Sequence, residues 1–354
     1  MDLFKKDRDL TQAPTQVELT VDCSDLRMKA SEVNLRLDAF LSKYLTWRSR
    51  TSIQALIHDG YVLVDAATPD APKGKGAPVV ETRPGRKLKH GSKVVVVIPE
   101  ELRVPMLEKS TDELVILYED EGVLAVEKPA NVPVHPSGRH MADTLIQRVH
   151  ARYGKGYDLE RGGAPRLCHR LDRETSGIVL VGKHPEAHAD VMKQFERRKV
   201  EKEYLTIVAG VPDREGGTID MPLGPARAGS KVDIKIVVQV DGWPSRTDWR
   251  VVSRHRECAL VSASPFTGRQ HQIRVHLAAI GHPVIGDKIY GPDETLFEKA
   301  LEGELDARDL ATLGMDRHAL HNHRLVFRSP ATGETVEVVS PLPADMRAYL
   351  AARS

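Results

Sequence analysis

Cysteine is scarce in this chain. Three occur in 354 residues, at Cys23, Cys168 and Cys258, far apart and odd in number, with no Cys-x-x-Cys pair. That argues against a disulfide framework and a cysteine-built zinc site, and for a reducing cytoplasm. Long apolar runs are also missing. No stretch approaches the ~20 residues of a membrane-spanning helix, and the start, Met1 to Asp7, lacks the apolar core of a signal peptide. A soluble, intracellular protein without a membrane partner is expected. Net charge is nearly absent, at +1, so there is no global basic field. No internal repeat is visible. What is present is enough for a real core: 41% of the residues are hydrophobic, and the length suits two domains.

Charge is local instead. Between Arg36 and Lys93 there are eleven Lys or Arg and five Asp or Glu, a concentration suited either to a phosphate-facing module or to a solvated face. Within this stretch Leu37, Phe40, Leu41, Tyr44 and Leu45 follow the spacing of an amphipathic helix. Arg48, Ser49 and Arg50 precede a second helix carrying Ile53, Leu56 and Ile57, which Gly60 ends. Strands follow at Tyr61 to Val64 and Val94 to Ile98. Residues 1–33 read as a loosely ordered tail, apart from a short strand candidate at Val17 to Val21. Residues 34–99 form a first module. Within it, 68–86 is rich in Pro, Gly and Lys and is not expected to pack. It is a mobile basic loop or only an insertion. Residues 100–112 read as a linker, and 113–354 as the main domain.

That domain mixes strands and helices without regular βαβ alternation, which argues for an α+β fold. Strands are expected at Leu114 to Tyr118, Val123 to Val126, Lys202 to Val208, Val232 to Val238, Arg246 to Val252 and Cys258 to Ser264. Arg324 to Phe327 and Thr335 to Val339 form a late hairpin. Helices are expected at Pro185 to Lys199, Gln270 to Ile280 and Ala344 to Ala351. The densest chemistry lies in Arg166-Leu167-Cys168-His169-Arg170-Leu171-Asp172-Arg173-Glu174-Thr175-Ser176-Gly177-Ile178-Val179-Leu180-Val181. Its end is a buried strand. Asp172 therefore stands in polar chain just before a rigid support. Arg170 and Arg173 flank it, and nearby positive charge keeps a carboxylate ionised. Such a group serves as nucleophile or base.

The string from His169 to Leu180 resembles, without a gap, the signature of the RluA-type pseudouridine synthases, in particular the large ribosomal-subunit branch. Thr267-Gly268-Arg269-Gln270-His271-Gln272-Ile273-Arg274-Val275-His276 resembles a second motif of that family, and Gly281 to Asp287 extend the match. The Lys128-Pro129 turn, the His135-Pro136 pair and the Lys202-x-Tyr204 segment are similar to further parts. His135 reads as a ligand or as a structural turn residue. The two-helix-then-strand pattern with Ser-Arg before the second helix looks like an S4 RNA-binding module.

The resemblance implies an RNA uridine isomerase, with a mixed, largely antiparallel sheet flanked by helices and a small N-terminal α/β module. It implies Asp172 as the catalytic carboxylate, Arg274 as its ion-pair partner and Tyr204 as the ring that stacks on the target base. Arg170 would fill the space left by the flipped base. His169, Arg269, Gln272 and Lys128 join it as substrate-RNA residues, with Arg48 and Arg50 from the S4-like module. Large-subunit ribosomal RNA is the expected partner, with transfer RNA as the alternative, and the chain is expected to be a monomer. Nothing enters or leaves in this isomerisation, so no cofactor or metal is required. Whether Asp172 attacks C1′, attacks C6 or takes a proton stays open. A competing reading is a non-catalytic RNA-binding or ribosome-assembly protein.

Two tempting motifs fail. Gly177 to Lys183 has P-loop spacing, but its middle is a strand and His184 replaces the Ser or Thr that would hold magnesium. His318, His321 and His323 lack carboxylate or cysteine company at ligand spacing apart from Asp316, and His271 with His276 lie in the motif that resembles the RNA-modifying family's. They read as structural or RNA-contacting.

Overall fold

A computed structural model describes residues 16–23, 29–45, 50–99, 114–135, 143–153, 164–226, 232 and 234–354. The chain divides into two compact units. The first is Met1–Asp112 with His135–Pro165; the second is Glu113–Val134 with Arg166–Ser354. The expected linker at 100–112 lies outside the described residues, as does Arg48.

In the first unit, strand β1 (Gln16–Thr20) is followed by β2 (Leu35–Arg36), α1 (Leu37–Tyr44), α2 (Arg50–His58), β3 (Val62–Asp65), β4 (Val79–Val80), β5 (Lys87–Leu88) and β6 (Lys93–Val97). A four-stranded sheet runs in the order β1-β6-β3-β4. The periodic apolar residues do what their spacing predicts. Leu37, Phe40 and Leu41 of α1 and Ile53, Leu56 and Ile57 of α2 bury one stripe each against Val62, Val64, Val94 and Val96. The start of α1 is held by buried Asp38, whose carboxylate accepts from Arg36 (2.9 Å), Arg50 (3.1 Å) and Gln54 (3.0 Å). The Arg36 hydrogen bond holds this carboxyl far below the usual range.

Two expectations for this unit are corrected. The tail does not run to residue 33: β1 pairs along its length with β6, and Leu19, Val21 and Val33 lie in the core. The Pro/Gly/Lys insertion keeps its side chains largely exposed, as expected, but it is tied down by hydrogen bonds. Val79 and Val80 pair with β3, Pro84 and Arg86 carbonyls accept the first amides of α1, and Asp65 accepts from the amides of Lys75 (2.8 Å) and Gly76 (2.7 Å). Composition misleads here because the segment is held by backbone hydrogen bonds and one buried carboxylate, and apolar side chains contribute little. Helix α3 (Leu145–Tyr153), which the sequence reading did not foresee, also belongs to this unit.

The second unit is built on a ten-stranded sheet. Its strands are β7 (Ile116–Glu119), β8 (Val123–Lys128), β9 (Arg166–Leu167), β10 (Ser176–Gly182), β11 (Glu201–Ala209), β12 (Gly216–Asp220), β15 (Arg246–His255), β16 (Cys258–Pro265), β17 (Leu320–Arg328) and β18 (Thr335–Val339). A separate pair is formed by β13 (Leu223–Pro225) and β14 (Ile236–Val238). The order is β12-β15-β16-β11-β17-β10-β8-β7, with β18 on β17 and β9 on β10. Among its described pairs only β10–β17 is parallel, so the sheet is mixed and largely antiparallel, as expected for an α+β fold. Helices α4 (Pro185–Glu196), α5 (Gln272–Ala279), α6 (Thr295–Glu302), α7 (Ala307–Leu313) and α8 (Ala344–Ala351) complete the unit.

Every residue of β10 is buried, as a strand covered on both faces requires. Ile178 and Leu180 pack with Val123, Ala125, Val191 and Phe327. This is why the Gly177–Lys183 spacing makes no phosphate loop. Gly177 has φ +111°, and a Cβ there would stand 2.3 Å from the Asn322 carbonyl oxygen. The parallel register Ser176↔His321, Gly177↔Asn322 needs this approach. Replacing Gly177 by Ala is expected to cost at least ~2 kcal/mol of stability, read as a lower urea midpoint. An unchanged midpoint would show that the strand pair tolerates a methyl group.

Candidate active site

Asp172 lies four residues before β10, in a loop pinned from several sides. The Cys168 amide donates to the Leu180 carbonyl (2.8 Å), and the Leu180 amide donates to His169 Nε2 (3.0 Å). His169 also packs on the Phe195 ring at 5.0 Å. The fully buried ammonium of Lys128 donates to the carbonyls of Pro129, Val132 and Arg173 at 2.7, 2.9 and 2.8 Å. Glu174 accepts from Lys288 Nζ (2.9 Å) and the His318 amide (3.0 Å), and Thr175 shares a 2.7 Å hydrogen bond with His318 Nε2. Few rotations are left to the backbone that carries Asp172.

The opposing wall is the turn into α5. His271 takes a left-handed conformation (φ 56°) at the helix start. Thr267 Oγ1 and the Arg269 amide donate to Gln272 Oε1, and Gln272 Nε2 donates to the Arg246 carbonyl and Thr247 Oγ1. Arg274, one turn into the helix, is buried. Its Nε and Nη2 form a bidentate pair with Asp287 (2.6 and 2.8 Å), and its Nη1 donates to Asp172 Oδ2 at 3.0 Å. Asp287 Oδ1 is further fixed by the amides of Ile289 (2.9 Å) and Tyr290 (3.0 Å), and the Tyr290 ring lies 5.1 Å from the guanidinium carbon.

The electrostatics follow from these contacts. Burial works against a charged Asp172, and the adjacent Arg274 charge outweighs it, so its carboxyl sits below the ordinary range. Burial and then the Arg274 charge push His271 down to about 4, leaving it neutral near pH 7. The Tyr290 hydroxyl accepts the Ile236 amide (2.9 Å) and shares a 2.8 Å hydrogen bond with His271 Nδ1. His271 Nε2 faces Asp172 Oδ2 at 3.9 Å. Asp172 keeps 24% of its side chain exposed, while its partner arginine is enclosed. That combination suits a carboxylate that must meet a substrate.

Asp172, Arg274 and Tyr204 line one cavity of about 570 Å³. Tyr204 reaches it from β11, where burial, and then the Asp172 charge, keep its phenol protonated. His169, Arg170, Arg269 and Gln272 line the same cavity.

Comparison with known proteins gives a match to the family model described as RNA pseudouridylate synthase over residues 122–279, a span that holds Asp172, Tyr204 and Arg274. The chain is 32% identical over 322 residues to the uncharacterized RNA pseudouridine synthase YlyB of Bacillus subtilis (strain 168), covering 91% of this chain and 95% of the relative. It belongs to the RNA pseudouridine synthase family. It is also 32% identical over 335 residues to ribosomal large subunit pseudouridine synthase D of Pseudomonas aeruginosa, covering 91% and 94% of the two chains. Among solved structures it resembles human RNA pseudouridylate synthase domain containing 1, at 28% identity and a TM-score of 0.51 over 66% of this chain and 84% of that one.

The structure redistributes several roles that the sequence suggested for this synthase. Arg173 lies 3.6 Å from Glu174, and Arg170 forms no ion pair with a described carboxylate. The cation on Asp172 therefore comes from Arg274, 102 residues away, and not from its neighbours. Lys128 is buried with its ammonium on three carbonyls, so it braces the loop and does not reach RNA. Gln272 is likewise buried and spent on the turn. His169 is pushed down to about 3, by burial and then the Lys202 charge, and its Nε2 accepts from the loop's own backbone. Arg170 and Arg269 are exposed at the cavity. Arg50 belongs to the other unit and is exposed beside Asp38. His318, His321 and His323 are bonded to Thr175, Ser176 and the Ser340 carbonyl, the use made of structural histidines.

Asp287, His271 and Tyr290 were missed as site residues, although Asp287 stood inside the extended match. Their role shows only when the turn closes on Arg274. Asp287→Asn removes one half of a buried pair and is expected to cost roughly 3–5 kcal/mol in urea unfolding. The sign with pH follows from the depressed carboxyl of Asp287. Its contribution is complete above the unfolded value of about 4 and is lost as pH falls through the lower folded value. The variant should therefore show a flatter acid limb than the native protein, and an equally steep limb would count against this assignment.

Proposed function

We propose that the protein converts uridines of large-subunit ribosomal RNA to pseudouridine, with Asp172 acting on an everted nucleotide. The observation that carries this reading is the shared cavity: an ionised, partly open carboxylate, a buried arginine that orients it, and an aromatic ring. The reaction breaks the N1–C1′ bond, turns the uracil and joins C5 to C1′. The C5 proton leaves and N1 gains one, so atoms and charge balance. An ionised carboxylate beside the sugar and base suits attack at C1′, attack at C6 or proton abstraction.

A uracil inside folded RNA is out of reach, and eversion costs a few kcal/mol. Stacking on Tyr204 returns ~1–3 kcal/mol, and exposed Arg170 is free to enter the vacated stack. The relative named ribosomal large subunit pseudouridine synthase D supports the ribosomal substrate. Residues 34–99 would supply an S4-like RNA-binding module, with Arg50 on its surface.

Asp172→Asn is expected to lower conversion by at least ~10³-fold while leaving RNA affinity and unfolding nearly unchanged. The measurement is a pseudouridine map of ribosomal and transfer RNA from a deletion strain carrying either allele. Conversion at the native rate by the variant would refute the role of Asp172. A map altered only in transfer RNA would move the substrate.

A further inference from the structure

Lys202 stands out once the cavity is read for charge. It precedes Tyr204 by two residues on β11, so the pleat puts both side chains on one face, about 7 Å apart along the strand. Both line the cavity. Lys202 is half-buried, its backbone pairs with Leu325, and its ammonium has no hydrogen bond or ion pair among the described residues. Its ammonium lies beside Gly268, where an added Cβ would stand 3.7 Å from Nζ. The acids of β11 on the other face are engaged elsewhere, Glu203 with Arg250 and Ser262, and Glu201 with Arg324.

The charges around the cavity say what this lysine is for. Asp172, which lines the cavity, shares the cation of Arg274 with the enclosed Asp287, so the floor around this triad has two carboxylates to one guanidinium. His271 and His169 are neutral, held there by burial. An everted nucleotide brings a phosphodiester toward that floor, where it would be repelled. Glu196, Arg170, Arg198 and Arg269 are all exposed at the edge, open to solvent screening.

We propose that Lys202 is a substrate-binding residue whose ammonium pairs with a non-bridging oxygen of the phosphodiester attached to the target uridine, while Tyr204 takes the base. The assignment rests on the reading of Asp172 as the residue that acts on an everted uridine. It explains why a half-buried ammonium is kept without a partner among the described residues: the partner arrives with the RNA. Burial lowers its ammonium to about 8 in the free protein, so RNA binding and proton uptake at this nitrogen are coupled. A lysine so placed would otherwise act as a base for the C5 proton, and arginine distinguishes the two, because it binds phosphate and does not deprotonate.

The test uses the full-length protein and protein-free ribosomal RNA from a strain lacking it. Lys202→Met should raise KM roughly 10- to 100-fold with little change in kcat, and Lys202→Arg should restore most of the affinity. Native kcat/KM should fall above about pH 8; that fall should be absent in Lys202→Arg, and the ionisation of uracil is common to all three proteins. In an Asp172→Asn background, Lys202→Met should reduce the slope of log affinity against log salt by about one contact, ~0.7–0.9. A loss confined to kcat that arginine does not rescue, or an unchanged salt slope, overturns the phosphate assignment while the function stands. A native protein that converts no uridine in this RNA overturns both.

Discussion

One guanidinium organises the catalytic unit. Arg274 is enclosed by protein, and its donors are divided between Asp287, which holds it, and Asp172, which it holds. Burial alone would neutralise a carboxylate in such a place. Arg274 prevents this, and because Asp287 fixes two of its nitrogens, the third is aimed before any substrate arrives. The same division leaves Arg274 no nitrogen to spare for substrate, which is the reason a lysine at the cavity wall with no ion pair among the described residues is informative.

The remainder of the unit keeps the two halves of that ion pair at 3.0 Å. Asp172 comes from a loop stitched to β10, and Arg274 from a helix whose first turn is locked by Gln272 and a left-handed His271. The sheet decides that these segments meet. β10 and β16, which lead out of the loop and into the helix turn, are separated in the sheet by β17 and β11, and β11 delivers Tyr204 between them. Lys128 shows how costly this bracing is. A buried ammonium is expensive unless all its donors are used, and three carbonyls use them, one of them next to Asp172.

Much of this was legible before any coordinates. The apolar periods of 37–45 and 53–57, the buried run 178–181 and the late hairpin at 324–339 all appear where the patterns put them, since periodicity and burial are written locally. The family motifs led to Asp172, Tyr204 and Arg274, which do share a cavity. Reading failed where stability comes from backbone pairing, as in 68–86, or where a side chain's partner is distant. Lys128, Gln272 and His169 looked like RNA contacts because polar residues in motifs resemble ligands. They are in fact hydrogen-bonded to their own chain.

The sequence alone settled the α+β class and the order of most elements, and its motifs singled out the acid, arginine and ring of the proposed site, because those depend on local pattern and unbroken motifs. Tertiary structure decided which cation Asp172 meets, that Asp287 holds that cation, and that the Lys202 ammonium has no partner among the described residues. Those facts concern distances between segments 13 to 102 residues apart. Spacing along a chain says nothing of such distances until the sheet has closed.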